Sequence, residues 1–347
     1  MHTRLAALAV AAASALVLTG CSTAPGDEAG AGDAGGALQV VASTNIYGQL
    51  AAEIGGDRIE VTSLIDSAEK DPHGYEATAR DRLAVQKADL VIENGGGYDS
   101  FMQELIDGSD AVVITAAEFS HDFPDAVVED HADHDEHAEG EHAEGEHAAD
   151  EHSADEHAEG EHAEEHEGHS HIEGFNEHVW FDVHTVSHVV EQIAADLTEI
   201  DPAGKAEYAA SAEKLAAELE GIEGELHTLH EKLEGTPVFI TEPLPGALAA
   251  AAGLDDVAPE GFASAVEEGN EVAPATLLES LSLVEGGKVS AVLANAQTGG
   301  GETSRIEDAA KAADIPIVTF HELLEADQSY AEWMRAAISD LAAALGG

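Results

Sequence analysis

Seven short apolar runs, interleaved with stretches of helical spacing, set the strongest limit on what this chain can fold into. Leu38–Ser43, Ile59–Ile65, Asp89–Glu93 and Ala111–Thr115 read as strands in the first half, and Val238–Thr241, Val289–Ala294 and Ile315–Phe320 in the second. Ile46–Ile54, Thr78–Lys87 and Tyr98–Ile106 read as helices between the early strands. Pro245–Ala252, Pro274–Glu285, Ser304–Ala313 and Ser329–Leu345 do the same later. Strands alternating with helices predict parallel sheets covered by helices. In the middle, Val183–Leu197 and Lys205–Leu233 carry helical spacing on either side of Asp201-Pro202. The apolar residues of the second (Leu215, Leu219, Ile222, Leu226, Leu229, Leu233) recur every three or four positions, and its length is about 40 Å at 1.5 Å per residue. The expectation is an α/β protein of two lobes, each a parallel sheet flanked by helices, joined by one long helix, with a crevice that suits a trapped ligand.

Charge narrows the ligand. The 347 residues include 71 Asp and Glu against 13 Lys and Arg, a formal net charge of −58. Phosphate recognition needs clustered Lys and Arg, so nucleic acid is excluded as a partner and cations are favoured. One cysteine rules out an intrachain disulfide framework and a Cys-based zinc knuckle. Of the 20 histidines, 11 lie in residues 129–171, with 18 Asp and Glu and no Lys or Arg. His137, His142, His147, His152, His157 and His162 repeat every five residues, a period of neither helix nor strand. With His131, His134, His166, His169 and His171 they form a solvated, mobile insertion that could gather metal ions. It interrupts the first lobe.

The first residues read as an address. Arg4, the apolar run Leu5–Leu18 and a small-residue site before Cys21 make a secretory signal peptide. Leu18-Thr19-Gly20-Cys21 resembles the bacterial lipobox, which implies lipidation of Cys21. Residues 22–37 then read as a flexible tether. The resulting division is 1–21 signal, 22–37 tether, 38–128 first lobe, 129–171 insertion, 172–202 end of the first lobe, 203–234 linking helix and 235–347 second lobe. The mature chain would be extracytoplasmic, on the outer face of the cytoplasmic membrane.

Three segments outside the insertion could supply ligands. His73 sits in Asp71-Pro72-His73-Gly74-Tyr75-Glu76, His178 in His178-Val179-Trp180-Phe181-Asp182, and Glu242 directly after the first strand of the second lobe. Each lies at a loop beside a predicted strand or helix, where α/β proteins place ligands. His184 and His188 are four apart on a predicted helix, and His227 and His230 three apart on another. Both pairs read as exposed polar residues, because no third ligand is in sequence reach. Gly95-Gly96-Gly97 and Gly299-Gly300-Gly301 lack the Lys-Ser/Thr ending of a phosphate loop and read as turns.

These segments in order, with Ala88-Asp89-Leu90-Val91, Asn94-Gly95 and Glu267-Glu268-Gly269-Asn270 before Pro274, resemble the metal-binding lipoproteins of bacterial zinc and manganese ABC importers, cluster A-I. The resemblance covers residues 38–345. It implies a periplasmic-binding-protein-like fold with a rigid linking helix, metal in the interlobe cleft, and His73, His178 and Glu242 as ligands. The family's fourth-ligand loop is matched to Asn295–Gly300, which holds no carboxylate, so Asn295 or Gln297 is expected near that place.

Two imidazoles and a carboxylate suit Zn²⁺, whereas Mn²⁺ prefers more oxygen ligands. The expected function is therefore a solute-binding protein, not an enzyme, that takes Zn²⁺ as cargo and docks as a monomer on an ABC permease driven by its ATPase. Mn²⁺ as cargo is the alternative. A zinc hydrolase is disfavoured by the absence of a His-Glu-x-x-His helix, and a storage or adhesion protein by the presence of two lobes.

Overall fold

The computed structural model describes residues 36–67, 70, 74–124, 172 and 174–346. The signal segment with Cys21, nearly all of the tether, His73 and the insertion with its histidines lie outside the described residues.

In the first lobe, β1 (Leu38–Thr44), α1 (Asn45–Gly55), β2 (Ile59–Ile65), α2 (Ala79–Val85), β3 (Leu90–Glu93), α3 (Phe101–Ile106) and β4 (Val112–Thr115) follow one another. The strands are parallel in the order β2-β1-β3-β4. Then come α4 (Val183–Ile200) and α5 (Lys205–Leu233). The second lobe repeats the scheme with β5 (Thr236–Ile240), α6 (Gly246–Ala251), β6 (Leu254–Asp256), α7 (Phe262–Glu267), α8 (Pro274–Glu285), β7 (Ala291–Asn295), α9 (Gly301–Ala312), β8 (Ile317–Phe320) and α10 (Tyr330–Leu345). Its strands are also parallel, in the order β6-β5-β7-β8. In each sheet the chain steps to one side of its first strand and then crosses to the other. Such a reversal opens a crevice at the carboxyl ends of the strands.

Local chemistry sets the helix ends. Thr78 accepts from the Asp81 amide while Asp81 accepts from the Thr78 amide, a reciprocal cap that starts α2 one residue after Thr78. Ser329 and Glu332 do the same for α10. Pro274 opens α8, where a missing amide hydrogen costs nothing.

The stripe on α5 is buried from Leu215 to Leu233, each side chain contributing roughly 1.5–3 kcal/mol of burial. It packs on α4, and one continuous apolar core runs from Val40 and Ile46 of the first lobe through α4 and α5 to Leu293 and Trp333 of the second. Two smaller clusters close the outer faces of the sheets. The link is thus part of the core.

Candidate metal centre

The carboxyl ends of both sheets converge on one buried, acidic place. From the first lobe, β3 runs into Asn94-Gly95, whose amides donate to the buried Asp99 carboxylate at 2.7 and 2.8 Å. Gly95 has φ +73°, and a Cβ there would lie 2.3 Å from Thr115 Cγ2, so only glycine fits this turn. Asn94 then accepts from the Tyr47 hydroxyl and donates through Nδ2 to the Glu177 carbonyl at 2.8 Å. The turn after β3 in this way fixes the backbone beside His178.

His178 is buried, with its ring against Tyr98 and Trp180 at centroid distances of 5.7 and 5.2 Å. Asn176 Oδ1 accepts from the His178 amide at 3.1 Å and sits 2.9 Å from its Nδ1. An amide oxygen at Nδ1 selects the tautomer protonated there and makes Nε2 the acceptor, the state a metal ligand needs. Asn176 also donates through Nδ2 to the Pro243 carbonyl at 2.9 Å, which couples the His178 loop to the residue after Glu242. Replacing Asn176 by alanine is expected to weaken cation binding by about 10–100-fold, the usual cost of an outer-shell partner. Titration calorimetry on metal-free protein checks it; unchanged affinity would mean that the imidazole is held by packing alone.

From the second lobe, Glu242 follows β5 and is buried. Its Oε2 accepts from Asn295 Nδ2 at 3.1 Å and from the Thr298 hydroxyl, while its Oε1 has no hydrogen-bond partner among the described residues. Burial pushes its carboxyl above the ordinary range, against the two hydrogen bonds that pull it down. Asn295 Nδ2 also donates to Glu322 Oε1 at 2.6 Å, and Glu322 Oε2 accepts from the Tyr98 hydroxyl of the first lobe at 3.0 Å. Glu267, at the end of α7, places Oε1 3.6 Å from His178 Nε2. Burial first, then the charges of Glu177, Glu242 and Glu322, drive Glu267 up to about 8.

The structure therefore brings His178, Glu242 and Asn295 into one network and adds two carboxylates that sequence reading did not select as site residues. Asn295 turns its amide nitrogen to the carboxylates and its oxygen to the Gln297 amide at 3.0 Å. Gln297 uses its side-chain oxygen on the Glu322 amide at 2.6 Å, and its Nε2 is buried with no partner among the described residues. The Asn295–Gly300 loop holds no carboxylate, but Glu322, two residues past β8, supplies one beside it. Its signal in the sequence was an acid two residues after a strand and directly before Leu323-Leu324.

Neither Glu242 nor Glu267 has a Lys or Arg to offset it among the described residues. An unpaired buried carboxylate oxygen amid like charges is costly without a positive partner, and a cation is the partner this donor set fits. Among the described residues no three His, Cys, Asp or Glu side chains already converge on a single ion.

Comparisons with known proteins follow the same outline. A family model described as "Zinc-uptake complex component A periplasmic" matches residues 40–344. Among solved structures, the periplasmic zinc-binding protein TroA from Treponema pallidum superposes with a TM-score of 0.65 at 18% identity, over 90% of this chain and 99% of that one. The laminin-binding adhesin Lmb from Streptococcus agalactiae, in a mutant form, superposes with 0.63 at 18% identity, over 89% and 99%. At these identities the likeness concerns the fold. The manganese-binding lipoprotein MntA of Halalkalibacterium halodurans is 28% identical over 213 residues, 61% of this chain and 55% of that protein. The match thus spans about half the length of that relative.

Proposed function

The chain belongs to the zinc-uptake complex component A family, and from that premise we propose that it is the extracytoplasmic solute-binding protein of an ABC importer, with Zn²⁺ as its cargo. The observation that carries this reading is the buried His178 Nε2 facing Glu267, with Glu242 and Glu322 bridged by Asn295 behind it. His178 and Glu242 are the ligands from the two lobes, Glu322 stands beside the fourth place, and His73 completes the set. The residues do no chemistry on a substrate. They exchange a hydration shell for imidazole and carboxylate donors, and a cation there relieves the burial and like-charge repulsion that raise the Glu267 carboxyl to about 8.

Zn²⁺ is favoured over Mn²⁺ at any nitrogen-containing site by the ordinary order of divalent affinities. The second reading, Mn²⁺ as cargo, is supported by the added carboxylates, since oxygen-rich sites suit Mn²⁺. MntA, named for manganese, points the same way.

Cys21 would carry the lipid anchor, and no helix among the described residues is long and apolar enough to cross a membrane. The partner is a permease with its ATPase, engaged by a monomer, and the 129–171 segment would gather ions for the cleft. Competitive calorimetric titration of metal-free protein tests the cargo. One tight Zn²⁺ class that Mn²⁺ cannot displace supports zinc; tight Mn²⁺ binding that resists equimolar Zn²⁺ reverses the assignment, and no tight class for either sinks the reading.

A further inference from the structure

A second arrangement of imidazoles lies outside the cleft, on the solvent face of the α4–α5 pair. His184 and His188 stand four apart on α4, and their Nε2 atoms approach to 3.3 Å with the rings nearly perpendicular, at 83°. The His184 side chain is exposed and that of His188 half-buried. The other ring nitrogens face carboxylates. His184 Nδ1 is 3.5 Å from Glu223 Oε1 on α5, and His188 Nδ1 is 3.7 Å from Glu191 Oε2 one turn along α4.

That pattern has a chemical consequence. A carboxylate near Nδ1 favours the tautomer protonated there, so both Nε2 lone pairs are turned toward the same point. Two lone pairs at that distance repel unless a proton or a cation lies between them. The spacing suits a cation. Two nitrogens at about 2.0–2.1 Å from one tetrahedral ion are about 3.3–3.4 Å apart, and their ring centroids about 5.2 Å apart. The centroids observed are 4.8 Å apart. Sequence spacing alone argued against these histidines for want of a third ligand. The structure supplies instead two orienting carboxylates, one of them from a different helix.

We propose that His184 and His188 form a second, solvent-open site for a late first-row divalent cation such as Zn²⁺, closed by water and distinct from the cleft. Glu223 and Glu191 are positioning residues, acting through Nδ1. The site is shallow and half-hydrated, so it exchanges its ion readily. Two imidazoles on one helix face act as a chelate, which raises affinity on the order of 100-fold over either alone.

The test uses the full chain labelled with ¹⁵N-histidine and titrated with zinc chloride while imidazole nitrogen resonances are followed, with assignments from His184→Ala and His188→Ala. The expected result is that both Nε2 signals shift together, at a Zn²⁺ concentration on the order of 100-fold below that needed to move the exposed His121, which has no second imidazole beside it among the described residues. Either single substitution should push the remaining ring's response up to that of His121. In a Glu242→Ala background the pair should respond as before, which separates this site from the cleft. If His184 and His188 shift no earlier than His121, or if removing one leaves the other's response unchanged, the site does not exist.

Discussion

Metal-free protein will lose stability as pH rises from about 5 to about 8, and a Glu267→Gln variant will lose much less. The carboxyl of Glu267 goes from the ordinary 4.5 to about 8 in the folded chain, mainly through burial and then through Glu177, Glu242 and Glu322. The folded state therefore binds the proton more tightly than the unfolded one. Its contribution is complete below about 4.5 and disappears as pH passes through about 8. A shift of that size corresponds to an effect on the order of a few kcal/mol. Glu93, raised to about 7 by burial and Asp99, tilts the profile the same way and persists in the variant. Urea melts in chelator at several pH values read the slope. Parallel profiles for the two proteins would show that Glu267 is not held protonated by its neighbours. Added Zn²⁺ should flatten the slope of the parent protein, because the ion replaces the proton.

Replacing Glu242 will separate affinity from stability. Glu242→Ala removes a buried carboxylate whose Oε1 has no hydrogen-bond partner among the described residues, and Zn²⁺ affinity should fall at least about 100-fold, beyond the range of outer-shell losses. Glu242→Gln should lose affinity as well, yet stabilise the metal-free fold, since it takes one charge out of the cluster that raises Glu267. His178→Ala should match the affinity loss without that gain. Calorimetry and chelator melts on the three variants check both effects. Glu242→Gln with full affinity would remove Glu242 from the ligand set, and His178→Ala with full affinity would remove the centre itself.

The alternation of strands and helices was legible because each element buries one face, and the α5 stripe showed this most clearly. What escaped had no such face. β6 is Leu254-Asp255-Asp256, two acids on a short strand that pairs with β5 and offers one apolar side chain to the core. The expected helix from Tyr98 begins at Phe101 in the structure, because Asp99 is used to accept from the Asn94 and Gly95 amides. The same reason separates the site residues that could be read from those that could not. His178 and Glu242 stand in distinctive segments, whereas Glu322 and Glu267 gain meaning only when the fold brings the residues after β8 and the end of α7 to the side chains that follow β5 and β7. For His184 and His188, spacing showed the pair but not Glu223, which arrives across a helix–helix contact.

On the proposed function, the shared core has a bearing on how long an ion held in the cleft would stay. Lobes that each close on their own core can swing apart, but here α4, α5 and α10 belong to a single packed body. Asn45 on the first lobe exchanges two hydrogen bonds with the Leu324 backbone, two residues from Glu322. Release is then expected through local yielding of a few loops. Residence time becomes a property of those fastenings, and handing the ion onward is a matter of loosening one wall rather than opening a jaw.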